Sequence, residues 1–168
     1  MSQALRLERL RERSPEIDAA VARVMGECPD YYEAVHGRPA NDGDVHDFFH
    51  VEVPGIDPGD VHCYALRAGS EMVGIAGMIF GWKRPGQSMI GLLAVSQRHR
   101  RKGHGRAAAA ELERIARSSP HGTSLRIGIV ETNVPAFAFW HALGFRETGE
   151  RRAIEGFRGD VILLEKGL

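Results

Sequence analysis

The sequence predicts a single α/β (α+β) domain over residues 1–168, a mixed and mostly antiparallel sheet flanked by helices. Three observations predict it. Residues 61–67, 71–83 and 88–96 are apolar, strand-like runs joined only by Ala68-Gly69-Ser70 and Arg84-Pro85-Gly86-Gln87. Connections that short require antiparallel neighbours, so the three runs form a meander. After them, helix-type and strand-type patterns alternate to the C-terminus. Finally, 168 residues with 43% hydrophobic side chains are enough for one core without a metal or disulfide staple, and too few for two comfortable domains.

Residues 4–10 alternate apolar and charged side chains, which predicts a half-buried strand. Ser14, Pro15 and Glu16 then read as a helix start: a capping hydroxyl, a proline where no amide donor is needed, and an acid at the positive end of the dipole. Ile17, Val21, Val24 and Met25 form its apolar face, and it should stop near Gly26. Residues 27–60 carry nine carboxylates against the single base Arg38, with Pro29, Pro39, Pro54 and Pro58 breaking any long element. Short helical pieces are expected at residues 31–35 and 44–50. Beyond the meander, a basic glycine-bearing loop at residues 98–106 runs into an alanine-rich helix at 107–118. A strand at 125–130, a helix from Asn133 and Pro135 to Gly144, and strands at 145–151 and 160–165 complete the chain.

The composition excludes several classes. With 22 Lys+Arg against 22 Asp+Glu, the whole surface is no nucleic-acid footprint. No run approaches the roughly 18 apolar residues of a membrane helix, and the charged N-terminus lacks the apolar core of a signal peptide. Two cysteines, Cys28 and Cys63, make no disulfide framework, and a soluble cytoplasmic protein is expected. His46 and His50 have the i, i+4 spacing of zinc ligands, but no third ligand lies at a motif distance, so no metal is expected.

The loop Arg100-Arg101-Lys102-Gly103-His104-Gly105 follows an apolar strand and enters a helix. Such a turn aims several backbone N–H groups at the positive end of the helix dipole, which suits a pyrophosphate. Residues 97–106 hold five Arg or Lys and no acid. A solvated basic turn is the alternative reading. A P-loop is excluded because no Lys-Ser or Lys-Thr follows the glycines, and a dinucleotide fingerprint because the third glycine is absent.

The strand Ile90-Gly91-Leu92-Leu93-Ala94-Val95 followed by Arg100, Gly103 and Gly105 resembles the pyrophosphate motif of the GCN5-related N-acetyltransferase (GNAT) family. Val130, Asn133, Ala136, Phe139-Trp140 and Leu143-Gly144-Phe145 resemble its second motif, and the order of elements is similar throughout. The resemblance implies a sheet splayed between strands 4 and 5, with acetyl-CoA as co-substrate. It places the backbone of Leu93, Ala94 and Val95 along the pantetheine, with the Leu93 amide as donor to the thioester carbonyl. It also implies the amides of Arg101, Lys102, Gly103, His104, Gly105 and Arg106 around the pyrophosphate. Asn133 would bond the pantetheine or cap its helix; Phe139 and Trp140 would pack against the cofactor or fill the core.

The chain departs from that pattern where the family carries its usual acid and base. Trp140 stands at the position of the general-acid tyrosine, and Met89 at that of the strand-4 glutamate. Indole cannot protonate a thiolate. The candidates that remain are Glu131 for proton removal and Tyr31 or Tyr32 for the acid. The function expected is transfer of an acetyl group to the primary amine of a small molecule, a cationic one if the acidic segment walls the acceptor site. Alternatives are an acyl-CoA-binding sensor with little turnover, or a protein lysine or N-terminal acetyltransferase. Neither nucleic acid nor membrane is an expected partner; a homodimer through a helical face or the last strand is left open.

Overall fold

The computed structural model describes residues 3–168. β1 (Leu5–Arg9) is followed by three helices, α1 (Pro15–Gly26), α2 (Pro29–His36) and α3 (Asp42–Phe49). The meander is β2 (Val61–Ala68), β3 (Glu71–Phe80) and β4 (Gln87–Val95). Then come α4 (His104–Arg117), β5 (Ser124–Val130), α5 (Val134–Ala142), β6 (Arg146–Arg152) and β7 (Val161–Gly167). The seven strands form one sheet in the order β1-β2-β3-β4-β5-β7-β6, antiparallel except for β4 beside β5.

The helix starts follow from local chemistry. The Ser14 hydroxyl accepts from the Ile17 N–H at 3.1 Å, with Pro15 in the first turn of α1. At α3, Asn41 and Asp44 form a reciprocal capping box, Asn41 N–H donating to Asp44 at 2.8 Å and Asp44 N–H to Asn41 at 3.2 Å. That box starts α3 at Asp42, two residues earlier than expected. β3 ends at Phe80 instead of Lys83, because Gly81 turns the chain with φ +72°.

Two apolar clusters sandwich the sheet. On one face Leu66, Met78, Ile90, Leu112, Trp140 and Phe145 pack between the strands and α4 and α5. On the other, Val21, Val24, Met25, Phe48, Met72 and Ile75 seat α1 and α3. A third, smaller cluster of Val35, Val130, Val161 and Leu163 seats α2 against the far half of the sheet.

Pairing between β4 and β5 runs only from Gln87 opposite Ser124 to Ile90 opposite Ile127. At that point β4 carries a bulge: Met78 pairs with Ile90 and Gly77 with Leu92, so Gly91 has no partner on β3. Beyond it β5 stays paired to β7 as far as Val130 opposite Val161, while β4 stays paired to β3 as far as Val95 opposite Gly74. The two strands therefore part, leaving a V-shaped cleft between residues 92–95 and 128–130.

Candidate active site in the splay

Ladder phase decides which groups face the cleft. Ser96 N–H donates to Val73 O at 2.8 Å, so Ser96, Ala94 and Leu92 direct their backbone groups at β3. Leu93 and Val95 direct theirs the other way, into the splay. The Val95 carbonyl is already engaged there, accepting from Arg100 Nε at 2.9 Å and Cys28 Sγ at 3.4 Å. The Leu93 N–H and C=O and the Val95 N–H are the edge groups that a ligand could pair with.

At the mouth of β4 the chain makes a 3-10 turn, Gln97–His99, and then a tight loop with two left-handed residues, Arg101 (φ +59°) and Gly103 (φ +81°). The expected loop of residues 98–106 is shorter than its glycines suggest. α4 begins at His104, with Gly103 as its cap, and its first intrahelical bond runs from Ala107 N–H to Gly103 O at 3.0 Å. The N–H groups of His104, Gly105 and Arg106 lie before that bond and have no partner within the helix. A Cβ on Gly103 would meet nothing within 4 Å, so the space in front of the loop is open. Gly105 differs: an added Cβ would stand in van der Waals contact with Phe139 at 3.4 Å, so this position faces α5 and not the open space.

The five cations of this stretch divide into two groups. Arg98 pairs with Glu27 at 3.2 Å and Glu71 at 3.3 Å, and Arg100 pairs with Asp30. Their side chains are committed to the protein. Among the described residues, Arg101, Lys102 and Arg106 form no ion pair and are exposed, leaving three charges at the helix entrance. His104 is buried, and burial first, then the neighbouring His99 and Lys102, pushes its pKa down. It therefore stays neutral at pH 7 and offers the loop its backbone N–H.

The second motif supplies the adjoining wall. Asn133 makes no side-chain capping bond at the start of α5, so of its two expected roles the cap is not formed. Trp140 is 4% exposed and packs edge-on against Phe139 (4.9 Å) and Phe145 (5.1 Å). It fills the core. Half-buried Phe139 lies between Trp140 and the first turn of α4.

The opposite wall is α2. Its N-terminal end is tied to β4 through Asp30 and Arg100; its C-terminal end is tied to the β6–β7 loop, where Arg158 N–H donates to Val35 O at 2.8 Å and Arg158 Nη1 to Glu33 O at 3.0 Å. The helix thus bridges the two arms of the splay. Tyr31 is partly exposed and packs against the clusters on both sides of it; burial pushes its phenol up to about 12. Tyr32, about 100° further round the helix, is 3% exposed and stacks on His36 at 5.7 Å. Of the two tyrosines, Tyr32 is the more enclosed residue.

Glu131 stands at the end of β5 as expected, but its carboxylate is occupied. It accepts from the Asp160 N–H at 3.0 Å and from Arg151 Nη2 at 2.7 Å. These contacts, the backbone donor first, hold its pKa below the usual carboxylate range. In this structure Glu131 ties the end of β5 to the β6–β7 loop.

His46 and His50 stack on each other with ring centres 4.1 Å apart, and His50 Nδ1 lies 2.9 Å from the His46 carbonyl. Among the described residues no group of three or more His, Cys, Asp or Glu side chains is placed to hold a metal ion.

Comparison with known proteins agrees with this architecture. The profile of the acetyltransferase (GNAT) family matches residues 26–145, and the chain belongs to that family. An acetyltransferase from Thermus thermophilus superposes with a TM-score of 0.77 at 24% identity, covering 100% of both chains. A GNAT acetyltransferase from Elizabethkingia anophelis with acetyl-CoA bound gives 0.63 at 15% identity, over 98% of each chain. The ribosomal-protein-S18-alanine N-acetyltransferase from Escherichia coli gives 0.67 at 17% identity, over 98% of this chain and 94% of that one. Identities this low speak for the fold. None of the curated protein sequences matches the chain.

Proposed function

We propose that this protein transfers the acetyl group of acetyl-CoA to the primary amine of a small acceptor. The observation that carries the reading is the open β4 edge at Leu93 and Val95, directly continuous with the uncapped amides of His104, Gly105 and Arg106. A pyrophosphate fits that entrance: the space before Gly103 is open, and Arg101, Lys102 and Arg106 are left to neutralise it. Acetyl-CoA supplies an acyl group activated as a thioester. The Leu93 N–H is the donor for the thioester oxygen, a fixed dipole where negative charge accumulates, the strongest single contribution such a site can make.

The proton inventory is lean. The Tyr31 phenol, its pKa raised by burial, is protonated at physiological pH, and its part is to offer a hydrogen bond to the departing sulfur. With Glu131 held by Arg151, the amine enters the site already neutral and gives up its proton to water. kcat/KM then rises with pH through the pKa of the acceptor amine.

A cationic acceptor is supported by fewer carboxylates than the sequence offered. Glu27, Asp30, Glu33 and Asp44 are all paired with arginines, and Asp57 and Asp60 lie beside the β3–β4 turn at the far end of the sheet from the splay, leaving Asp42, Asp47 and Glu52 of the acidic segment as its unpaired charges. The test is calorimetry with CoA, followed by thiol release from acetyl-CoA over a panel of mono-, di- and polyamines and one peptide with a free α-amine. Turnover on small amines is expected. Turnover on the peptide alone would move the protein to the N-terminal acetyltransferases, and binding without turnover would make it a sensor.

A further inference from the structure

We propose that Arg100 is a positioning residue that couples the cofactor loop to the acceptor-side helix, rather than a phosphate ligand; this rests on the acetyl-CoA reading above. Its guanidinium has three fixed contacts. Nε donates to the Val95 carbonyl at 2.9 Å, and Nη1 and Nη2 reach the two oxygens of Asp30, Nη2 at 3.0 Å. A planar fork placed in this way holds both direction and distance, which a lysine could not do. One side chain therefore fastens the end of β4 to the first turn of α2, across residues 70 positions apart.

The surrounding contacts point the same way. Gln97 N–H donates to Glu27 O at 2.9 Å, Ser96 Oγ to the Glu27 carboxylate, and Cys28 Sγ to the same Val95 carbonyl that Arg100 holds. Residues 27–30, the α1–α2 connection and the first turn of α2, are thus fixed to residues 95–100, the approach to the pyrophosphate loop. Asp30 is the part of this segment that acts on α2 itself, because it lies in that helix's first turn. A pyrophosphate that orders the backbone of residues 100–105 orders Arg100 with it, and through Asp30 it orders the helix that carries Tyr31. Order that the cofactor imposes on the loop is in this way passed on to the acceptor-side helix.

The experiment needs no knowledge of the acceptor. Hydrogen exchange is followed in the native protein, in Asp30→Asn and in Asp30→Glu, each with and without CoA. Asp30 is exposed, so both variants fold, and a melting curve checks that they do. In the native protein CoA should slow exchange both in residues 100–106 and in residues 31–36. In Asp30→Asn the loop should remain protected and CoA affinity stay within about twofold, while CoA-dependent protection of α2 falls about tenfold. Asp30→Glu, which keeps the charge, should restore most of it. Equal α2 protection in Asp30→Asn overturns the proposal, as does faster α2 exchange on CoA addition to the native protein, which would mean that Arg100 leaves Asp30 for the phosphate. If CoA protects neither segment in the native protein, the acetyl-CoA reading falls and takes this coupling with it; protection of the loop alone removes only the coupling.

Discussion

The wall of the cleft carried by β4 and α4 is made of backbone, whereas the wall carried by α2 and the β6–β7 loop is made of side chains that reach across the chain. On the first, the working groups are the Leu93 and Val95 edges and the amides of His104, Gly105 and Arg106, aimed by one bulge and two left-handed residues. On the second, Arg100 holds Asp30, Arg158 holds Glu33 and Arg151 holds Glu131, joining segments 70, 125 and 20 residues apart. A wall of amides presents the same groups whatever side chains surround it, and suits a ligand that never changes. A wall of ion pairs can be retuned by single substitutions.

The largest effect should come from breaking the backbone wall. Gly103→Val places a β-branched residue at φ +81°, at a strain of about 1–2 kcal/mol, and puts a side chain where the pyrophosphate would lie. CoA affinity measured by calorimetry should fall by about two orders of magnitude. The melting temperature should drop by only about 2–8 °C. Gly105→Val is the contrast: its side chain meets the Phe139 ring, so stability should suffer first and affinity only in consequence.

Next comes Tyr31→Phe, which removes the hydroxyl of the less enclosed of the two α2 tyrosines. Turnover should fall by about tenfold or more with CoA affinity unchanged. An unchanged kcat would mean that the thiolate leaves without assistance.

A smaller effect is expected from Arg158→Ala. An exposed ion pair contributes about 0–1 kcal/mol at most, so the fold should tolerate its loss. The acceptor KM should nevertheless rise, because the C-terminal end of α2 loses its side-chain tie to the β6–β7 loop while the cofactor wall is untouched. A change in CoA affinity instead would show that the two walls are not separable in this way.

The same contrast governs what is legible in the sequence. Strand runs, helix caps and the glycine loop are local: Ser14 with Pro15, and the two short connections of the meander, show their consequences within a few residues. The start of α4 lies three residues earlier than the local pattern implies, because Gly105 looks like a second loop glycine beside Gly103, and only the facing Phe139 distinguishes them. The acidic stretch and the basic loop look in sequence like two separate binding preferences, one for a cation and one for an anion. They are in part each other's partners, Glu27 with Arg98 and Asp30 with Arg100, and pairing between residues so far apart leaves no periodic or local signal. The Glu131–Arg151 pair is hidden in the sequence for the same reason, since Arg151 becomes its neighbour only when the last hairpin folds back over β5.

Glu131→Gln should therefore give the smallest change in rate and the clearest change in pH dependence. The folded carboxylate is held below its usual range by the Asp160 amide and Arg151, so the stability it contributes is present above the unfolded pKa of about 4.3 and is lost as pH falls through the folded value. The variant has no such group to protonate. Its melting temperature should start slightly lower than the native protein's at pH 7 and decline less between about pH 5 and pH 3, so that the two curves converge in acid. Thiol release at saturating amine should stay within about twofold of native, and kcat/KM should still rise with pH through the pKa of the acceptor amine. A tenfold loss of kcat at unchanged CoA affinity would reverse the assignment: Arg151 would then have to let go of the carboxylate during turnover, and the β5 end of the acceptor wall would be a moving part instead of an anchor.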